Sequence, residues 1–400
     1  MKILQLCSRV PYPHKDGYSI AVNAISKGLD KAGHEVRIMS LNTLQHHVNY
    51  DDLPQDYINE FKPILVDIDT FVRPVPAFLN IFSNKSYNVV RFISKNFKEE
   101  LFELLSNENF DIVQFDSLFT TPYLETVRKY SKAKAILRAH NVENLIWDRR
   151  TTQEKNPIRK WYLKLLSERL RKYEGKIINQ FDGIAAISDI DKKYLIEMGC
   201  KLPIDTVPIG IDFNFLNRKF PEPEPQTLFF IGILDWMPNV DGLLWFLNDV
   251  WHIVHERFPN VKFYIAGRHY EKIAAKLDYP NVIVLGEVED AYDYISSKEI
   301  MLVPLRYASG TRVKIIEALA LGKLIITTSV GVEGIEAVHS ENIMIADTPL
   351  TFADSISRCL REPDLCKNIS NNARKFAQER FNNDIIIDNL IRFYKSFLSQ

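Results

Sequence analysis

Cysteine is scarce in this chain: Cys7, Cys200, Cys359 and Cys366 are the only four, with neither the paired spacing of a metal site nor the density of a disulfide scaffold. Their scatter excludes a small disulfide-stapled fold and fits a reducing compartment. An excess of one charge is also missing. Fifty Lys and Arg against 51 Asp and Glu leave a formal net charge of −1, so the molecule has no global attraction for nucleic acid or anionic lipid. Nucleic acid is therefore not an expected partner, and any lipid contact must be local. No uncharged stretch approaches the ~20 apolar residues of a membrane span. The start, MKILQLCSRVPYP, has one lysine and a short apolar run broken by Ser8, Arg9 and two prolines, the pattern of a buried strand rather than a signal peptide. A cytoplasmic protein is expected. No HEXXH or cysteine cluster is present, and the Asp-Ile-Asp at 189–191 reads as a helix-capping turn, so no essential metal and no cofactor are expected.

What the chain does have is 46% hydrophobic residues over 400 positions, too much for one core and enough for two domains of roughly 200 residues. The first forty residues read strand, loop, helix, strand: Ile3 to Cys7, a loop to Gly17, a helix from Ser19 to Lys31, then Glu35 to Ser40. Residues 43 to 88 are poorly patterned. Beyond them come a helix near Val89 to Leu105, strands at Asp111–Phe115 and Ala133–Leu137, a long helix from Pro157 to Asn179, the strand of FDGIAAIS, and a strand at Ile204–Pro208. The proline-rich, charged segment Arg218 to Gln226 reads as a linker that forms neither helix nor central strand. The second half restarts with TLFFIGIL. Strands near 227–232, 261–266, 282–285, 300–304 and 324–327 alternate with helices near 239–256, 270–277 and 311–320, and such alternation predicts a second parallel sheet covered on both faces. The expected domains are 1–215, with a C-terminal helix at about 383–400 packing back on it, and 216–382.

The most informative stretch is MLVPLRYASGTRVKIIEALALGKLIITT. A buried strand, Ile300 to Pro304, runs into the small residues Ala308, Ser309 and Gly310, and a helix opens at about Thr311. Gly310 lets backbone approach a ligand, while the first-turn N–H groups and the macrodipole favour an anion. Arg312, with Arg306 and Lys314 as weaker candidates, adds positive charge where a diphosphate would sit. Glu317, about 1.5 turns into the helix, can accept two hydrogen bonds from a ribose diol. Together these residues describe a nucleoside diphosphate site.

This stretch resembles the C-terminal signature of the retaining glycosyltransferases of family 4, especially the branch with a PLR…GTRxKxxEAxAxGKxxxxT pattern followed by GxEG, here Gly331 to Gly334. Further matches are AHNVENLIW around His140, FDGIAAIS, VPIGID and IGILDWMPNVDGLLWF, so the resemblance runs from residue 1 to about 380. It implies an α/β architecture of the GT-B class, two Rossmann-like domains with parallel sheets facing a central cleft, the first binding acceptor and the second the nucleotide sugar. By the same resemblance Glu317 binds the donor ribose. The family's first motif glutamate falls on Ser309, and its Arg and Lys pair is replaced at roughly Ile233 and Pro238. Arg312 is then the candidate replacement cation, acting on the leaving diphosphate in the transition state. His140 faces the donor sugar, Asp16 and Gly17 stand where relatives carry a glycine pair near the donor phosphate, and Val288 meets the nucleobase through its backbone. Thr311 completes the donor loop, and Glu333 sits at another strand end.

The activity implied is transfer of a hexose-like unit, with retention, from a UDP or GDP sugar to a glycan or lipid-linked acceptor in surface polysaccharide assembly. From Arg159 to Lys176 seven basic and two acidic residues interleave with Trp161, Tyr162 and leucines, a basic amphipathic helix that could bring the chain to the inner face of a membrane. Its other reading is a core-packing helix with a solvated basic face. Two other functions stay open: a nucleotide-sugar epimerase of the same architecture, and a non-catalytic scaffold or partner subunit that retains the fold.

Overall fold

The computed structural model describes residues 1–14, 16–308 and 310–398, less the side chain at 153. The chain divides into two compact units, Met1–Gly210 with Asn383–Gln400, and Ile211–Asn382. Each is a parallel sheet wound with helices.

The first unit holds seven strands: β1 (Lys2–Cys7), β2 (Glu35–Thr43), β3 (Ile64–Ile68), β4 (Ile112–Asp116), β5 (Lys134–Ala139), β6 (Gly183–Ala186) and β7 (Ile204–Thr206), in the order β3-β2-β1-β4-β5-β6-β7. All neighbours pair in parallel. Residues 3–7 of β1 and all of β4 are buried, as expected of strands covered on both faces. The sheet reverses direction of winding between β1 and β4, where Cys7 pairs with Asp116, and side chains at the carboxyl ends of these strands face the crevice in which such sheets take ligands. β3 lies in the stretch the sequence pattern left without regular structure; it is an edge strand of five residues with one fully buried side chain, too short to show a period. The C-terminal helix Asn383–Leu398 packs into this unit, burying Ile386, Ile387, Leu390, Phe393, Tyr394 and Phe397 in the same core as Ile3, Val22, Ile25 and Leu29.

The second unit has six strands, β8 (Glu224–Ile231), β9 (Lys262–Ala266), β10 (Val282–Gly286), β11 (Lys298–Val303), β12 (Leu324–Thr327) and β13 (Met344–Ile345), in the order β10-β9-β8-β11-β12-β13, again all parallel. Its switch point lies between β8 and β11. Two sequence expectations are corrected here. The linker was expected to stop short of the sheet, yet β8, a central strand, begins at Glu224; the ladder to β11 shifts register between Lys298 and Ile300, and that irregularity accommodates Pro225 and the left-handed Gln226. The helix expected near 270–277 is instead two single 3₁₀ turns, Tyr270–Lys272 and Ala274–Lys276.

The helix Pro157–Ile177 buries Leu163, Leu166 and Leu170, so its leucine face is spent on packing within the first unit. Among the described residues, no helix is long and apolar enough to cross a membrane.

Candidate functional site

In the second unit β11 delivers the chain to the switch point, and the informative segment follows it. Gly310 adopts φ 73°, a left-handed conformation that costs a glycine nothing, and turns the chain into the helix Val313–Ala320. That helix starts two residues later than the expected Thr311. Arg312 is its N-cap, with extended backbone and no side-chain cap, so the helix start presents the N–H groups of Val313 and Lys314 rather than those of Thr311 and Arg312. Seven of the helix's eight residues are buried, and this all-round apolar character is what draws the segment into the unit's interior. Ser309 lies outside the described residues. Thr311 Oγ1 is buried without a hydrogen-bond partner.

The three candidate cations go to three different places. Arg306, half-exposed, is held by Asp241 through Nε at 2.8 Å and Nη2 at 2.7 Å, a bidentate pair that commits it to the helix Met237–Trp245. Arg312 is buried, and its Nη2 donates to the carbonyl of Glu333 at 2.5 Å, tying the helix start to the loop after β12. Lys314 crosses the switch point: its ammonium donates to the carbonyl of Ile231, the last residue of β8, at 3.2 Å and to Asn239 Oδ1 at 3.1 Å, 4.6 Å above the ring of Phe230. Burial, and then the nearby Arg312 guanidinium, pulls Lys314 down to about 7. The weaker candidate thus reaches the end of β8 at the switch point, where the sequence placed no cation among Ile233, Pro238 and their neighbours.

Glu317 lies on the same face of the helix as Lys314, three residues on. It is buried, and its Oε1 accepts the hydroxyl of Tyr292 at 2.9 Å. Burial pushes the carboxyl up to about 7 against the pull of that hydrogen bond. Tyr292, itself pushed well above the usual phenol range by burial and by Glu317, stacks edge-on against Phe215 at 5.4 Å. Val288 sits half-buried between β10 and the helix Ala291–Ser296 that carries Tyr292. Glu333 contributes its backbone carbonyl to Arg312. Tyr292 and Asn239 were not singled out from the sequence: Asn239 adjoins Pro238, but nothing in the pattern near Tyr292 marks a polar partner for a helix 25 residues away.

His140 belongs to the first unit, just beyond β5. Its Nε2 lies 3.3 Å from Asp116 Oδ1 at the end of β4, and the ring of Tyr18 is 5.2 Å away. Asp116 is fully buried, both its oxygens accept Gln114 Nε2 at 2.9 and 2.8 Å, and Gln114 Oε1 accepts the hydroxyl of Tyr394 from the C-terminal helix. Burial lowers the pKa of His140; the Asp116 hydrogen bond opposes that and the charge of Arg138 adds to it. Asp16 is otherwise employed than its position suggested. It caps the helix Gly17–Lys31, with Oδ1 accepting Tyr18 N at 3.0 Å, Ser19 N at 3.1 Å and Arg9 Nη2 at 2.6 Å. The helix end that would meet a phosphate at Gly17 therefore already carries a carboxylate. Three residues beyond His140, Glu143 is paired with the buried Glu174: burial and then Glu174 push Glu143 up to about 7, and Glu174 accepts the N–H groups of Glu143 and Asn144 at 3.1 and 3.0 Å.

The model of glycosyltransferase family 4 matches residues 16–215 and that of the group 1 glycosyl transferases matches residues 225–362. The chain is 25% identical to an uncharacterised 44.6 kDa protein from the cps region of Klebsiella pneumoniae, over 98% of this chain and 99% of that one. It is 26% identical to the capsular polysaccharide biosynthesis glycosyltransferase CapM of Staphylococcus aureus, over 47% of this chain and 52% of the relative. The crystal structure of Anabaena HepE in complex with UDP-glucose is similar in fold, with a TM-score of 0.67 at 13% identity, 99% of this chain and 100% of that chain being covered. The two parallel-sheet, Rossmann-like units are those of the GT-B fold.

Proposed function

Because the chain belongs to glycosyltransferase family 4, we propose that it transfers a hexose-like unit, with retention of anomeric configuration, from a nucleoside diphosphate sugar to a glycan or lipid-linked acceptor in surface polysaccharide assembly. The observation that carries this reading is the placement of Lys314 and Glu317. One helix start, at the switch point of the second unit, brings an ammonium and a carboxylate to one face, with N–H groups at its tip. That is the set a nucleoside diphosphate requires: cation and N–H groups for the phosphates, carboxylate for the ribose diol.

In this reading Lys314 and the N–H groups of Val313 and Lys314 hold the diphosphate. Arg312 adds positive field from behind the helix start and holds the Glu333 loop in place. Gly310 and Thr311 line the phosphate approach, Val288 meets the base through main chain, and Glu317 takes the ribose. His140, whose burial disfavours the protonated imidazole, acts on the donor sugar. The leaving phosphate accepts the acceptor's proton, so neither a protein nucleophile nor a metal is called for. The relation to CapM and to a cps-region protein supports capsule-type glycan assembly as the setting, and the UDP-glucose complex of HepE supports a UDP sugar as the donor. The setting proposed is the cytoplasm, with the acceptor at the inner face of the membrane.

The test is a thermal-shift panel of UDP, GDP and ADP and their sugars, followed by turnover with the stabilising donor and a lipid-linked glycan extract. Stabilisation by one diphosphate and release of that nucleotide only when acceptor is present supports the reading. No stabilisation by any of them sinks the donor site, and binding without turnover favours a non-catalytic scaffold.

A further inference from the structure

The segment after β3 has an unusual surface. Phe71, Val72, Val75, Phe78, Leu79 and Phe82 are between 48% and 78% exposed, on and around the short helix Pro74–Asn80. Those fractions of large side chains amount to roughly 600–700 Å² of apolar surface, at or above the largest patch a soluble monomer usually tolerates. The segment is held firmly on the first unit. Arg169, from the helix Pro157–Ile177, donates to the carbonyls of Asn80 at 2.7 Å and Ile81 at 2.8 Å, and Arg91 donates to the carbonyl of Thr70 at 2.6 Å. The same long helix exposes Ile158 at 77% and Trp161 at 57% two to three turns before Arg169, beside the exposed Arg159, Lys160 and Lys164.

Charge distinguishes the occupants of such a surface. From Thr70 to Lys98 the sequence has five basic residues and no acidic one. Of the carboxylates that flank these two stretches in sequence, Asp69 is engaged by Arg73, Glu99 pairs with Lys95 at 3.1 Å and Glu154 accepts the Asn156 N–H at 2.9 Å; Glu100 and Glu168 are exposed. A second copy docking here by two-fold symmetry would bring like charge against like. Aromatic and aliphatic side chains rimmed by lysine and arginine match instead a headgroup layer, with apolar tips among the acyl chains and ammonium groups at the phosphates.

We infer that this protein docks on an anionic lipid bilayer through the apolar segment 71–82, with the exposed start of the Pro157–Ile177 helix supplying the neighbouring positive charge. The long helix does not lie on the membrane by its leucines, which are buried; it backs the segment that enters. The contact stands whichever donor the second unit binds, and a failure of the nucleotide panel above leaves it untouched.

The experiment is co-sedimentation of the full chain with phosphatidylcholine vesicles, with and without phosphatidylglycerol. The wild type is compared with the triple variant Phe78→Ser/Leu79→Ser/Phe82→Ser and with Lys160→Glu/Lys164→Glu. These positions are exposed, and an unchanged circular dichroism melt verifies folding. The expected result is pelleting that requires phosphatidylglycerol and falls with added salt, weakened about tenfold or more by either variant. Wild type that stays in the supernatant at low salt, or variants that pellet like the wild type, overturn the inference. So does a wild-type dimer that the triple variant converts to monomer without any vesicle binding, because the patch is then a protein interface.

Discussion

Tyr292 donates its hydroxyl to Glu317 Oε1 at 2.9 Å, so the carboxylate assigned to the donor ribose already has one oxygen occupied by a phenol while its charge is opposed by burial. Burying that carboxyl carries a cost in stability, and the cost has a sign that can be measured.

Glu317 has an ordinary value of 4.5 and is raised to about 7 in the folded protein. Between these pH values the folded state keeps the proton that the unfolded chain has released, so stability falls as pH rises through the window, by up to about 3 kcal/mol above pH 7. Glu317→Gln removes the titration and keeps an acceptor for Tyr292. Its melting point should match the wild type near pH 4.5 and exceed it by several degrees at pH 8, while UDP or GDP binding weakens roughly tenfold. Equal melting points at pH 8 would show that the carboxyl is not held in its neutral form.

Lys314 and Glu317 both titrate near 7, from opposite directions, and the donor needs both charged. Binding then moves a proton from carboxyl to amine inside the site. Calorimetric titration with the stabilising diphosphate at pH 7, in buffers of different ionisation enthalpy, should show close to zero net proton exchange for the wild type. Glu317→Gln should take up about half a proton and Lys314→Met should release about half. A wild type that exchanges a full proton with buffer would separate the two titrations and refute the coupling.

Arg306 and Arg312 are six residues apart and should behave oppositely. Arg306 is committed to Asp241 at an exposed position, and removing it should change kcat by less than about twofold. Arg312 is buried at the helix start, and Arg312→Ala should lower kcat roughly tenfold to a thousandfold, on the order of 1 to 4 kcal/mol in the transition state. An unaltered kcat in Arg312→Ala removes that residue from the chemistry and leaves it only the Glu333 loop.

In the first unit the Asp116 carboxylate faces both His140 and the fully buried Arg138. Asp116→Asn takes away the interaction that raises the His140 pKa and strands a buried guanidinium, so it should destabilise the unit by about 3–5 kcal/mol. His140→Ala leaves Arg138 its partner, and should slow transfer roughly tenfold to a thousandfold with diphosphate affinity unchanged. If His140→Ala turned over at the wild-type rate, the histidine would be a structural partner of Asp116 and nothing more.

The two sheets were legible because parallel strands buried on both faces leave continuous apolar runs, as in Ile3–Cys7 and Ile300–Pro304, separated by helical periods. What could not be read depends on partners distant in sequence. β13 is two residues long, and β8 carries Pro225 only because its ladder shifts register against β11. In the candidate site, the loop, glycine and charges of 306–317 were visible as a set, but their assignment was not. Lys314 reaches Ile231, 83 residues earlier, and Arg306 is diverted by Asp241, 65 residues earlier. Which cation reaches the switch point is decided by that packing, and no local pattern encodes it.

The same dependence on distant sequence sets the last expectation. Residues 1–210 contain every strand of the first sheet, yet its outer core is completed by the helix Asn383–Leu398. The fit is close: a Cβ added at Gly183 would lie 2.4 Å from Phe397, and one at Gly28 2.4 Å from Ile387. Burying the helix's apolar side chains at ~1.5–3 kcal/mol each gives on the order of 10 kcal/mol, comparable with the whole stability of a domain. A chain ending at Asn382 should therefore lose the first unit's cooperative melting transition and become protease-sensitive over residues 1–210, while the second unit still binds diphosphate. Gly183→Val should produce a milder form of the defect, about 1–3 kcal/mol of destabilisation by overpacking against Phe397. Should the shortened chain instead melt as the full one does, the C-terminal helix would be an accessory to a sheet that is stable without it.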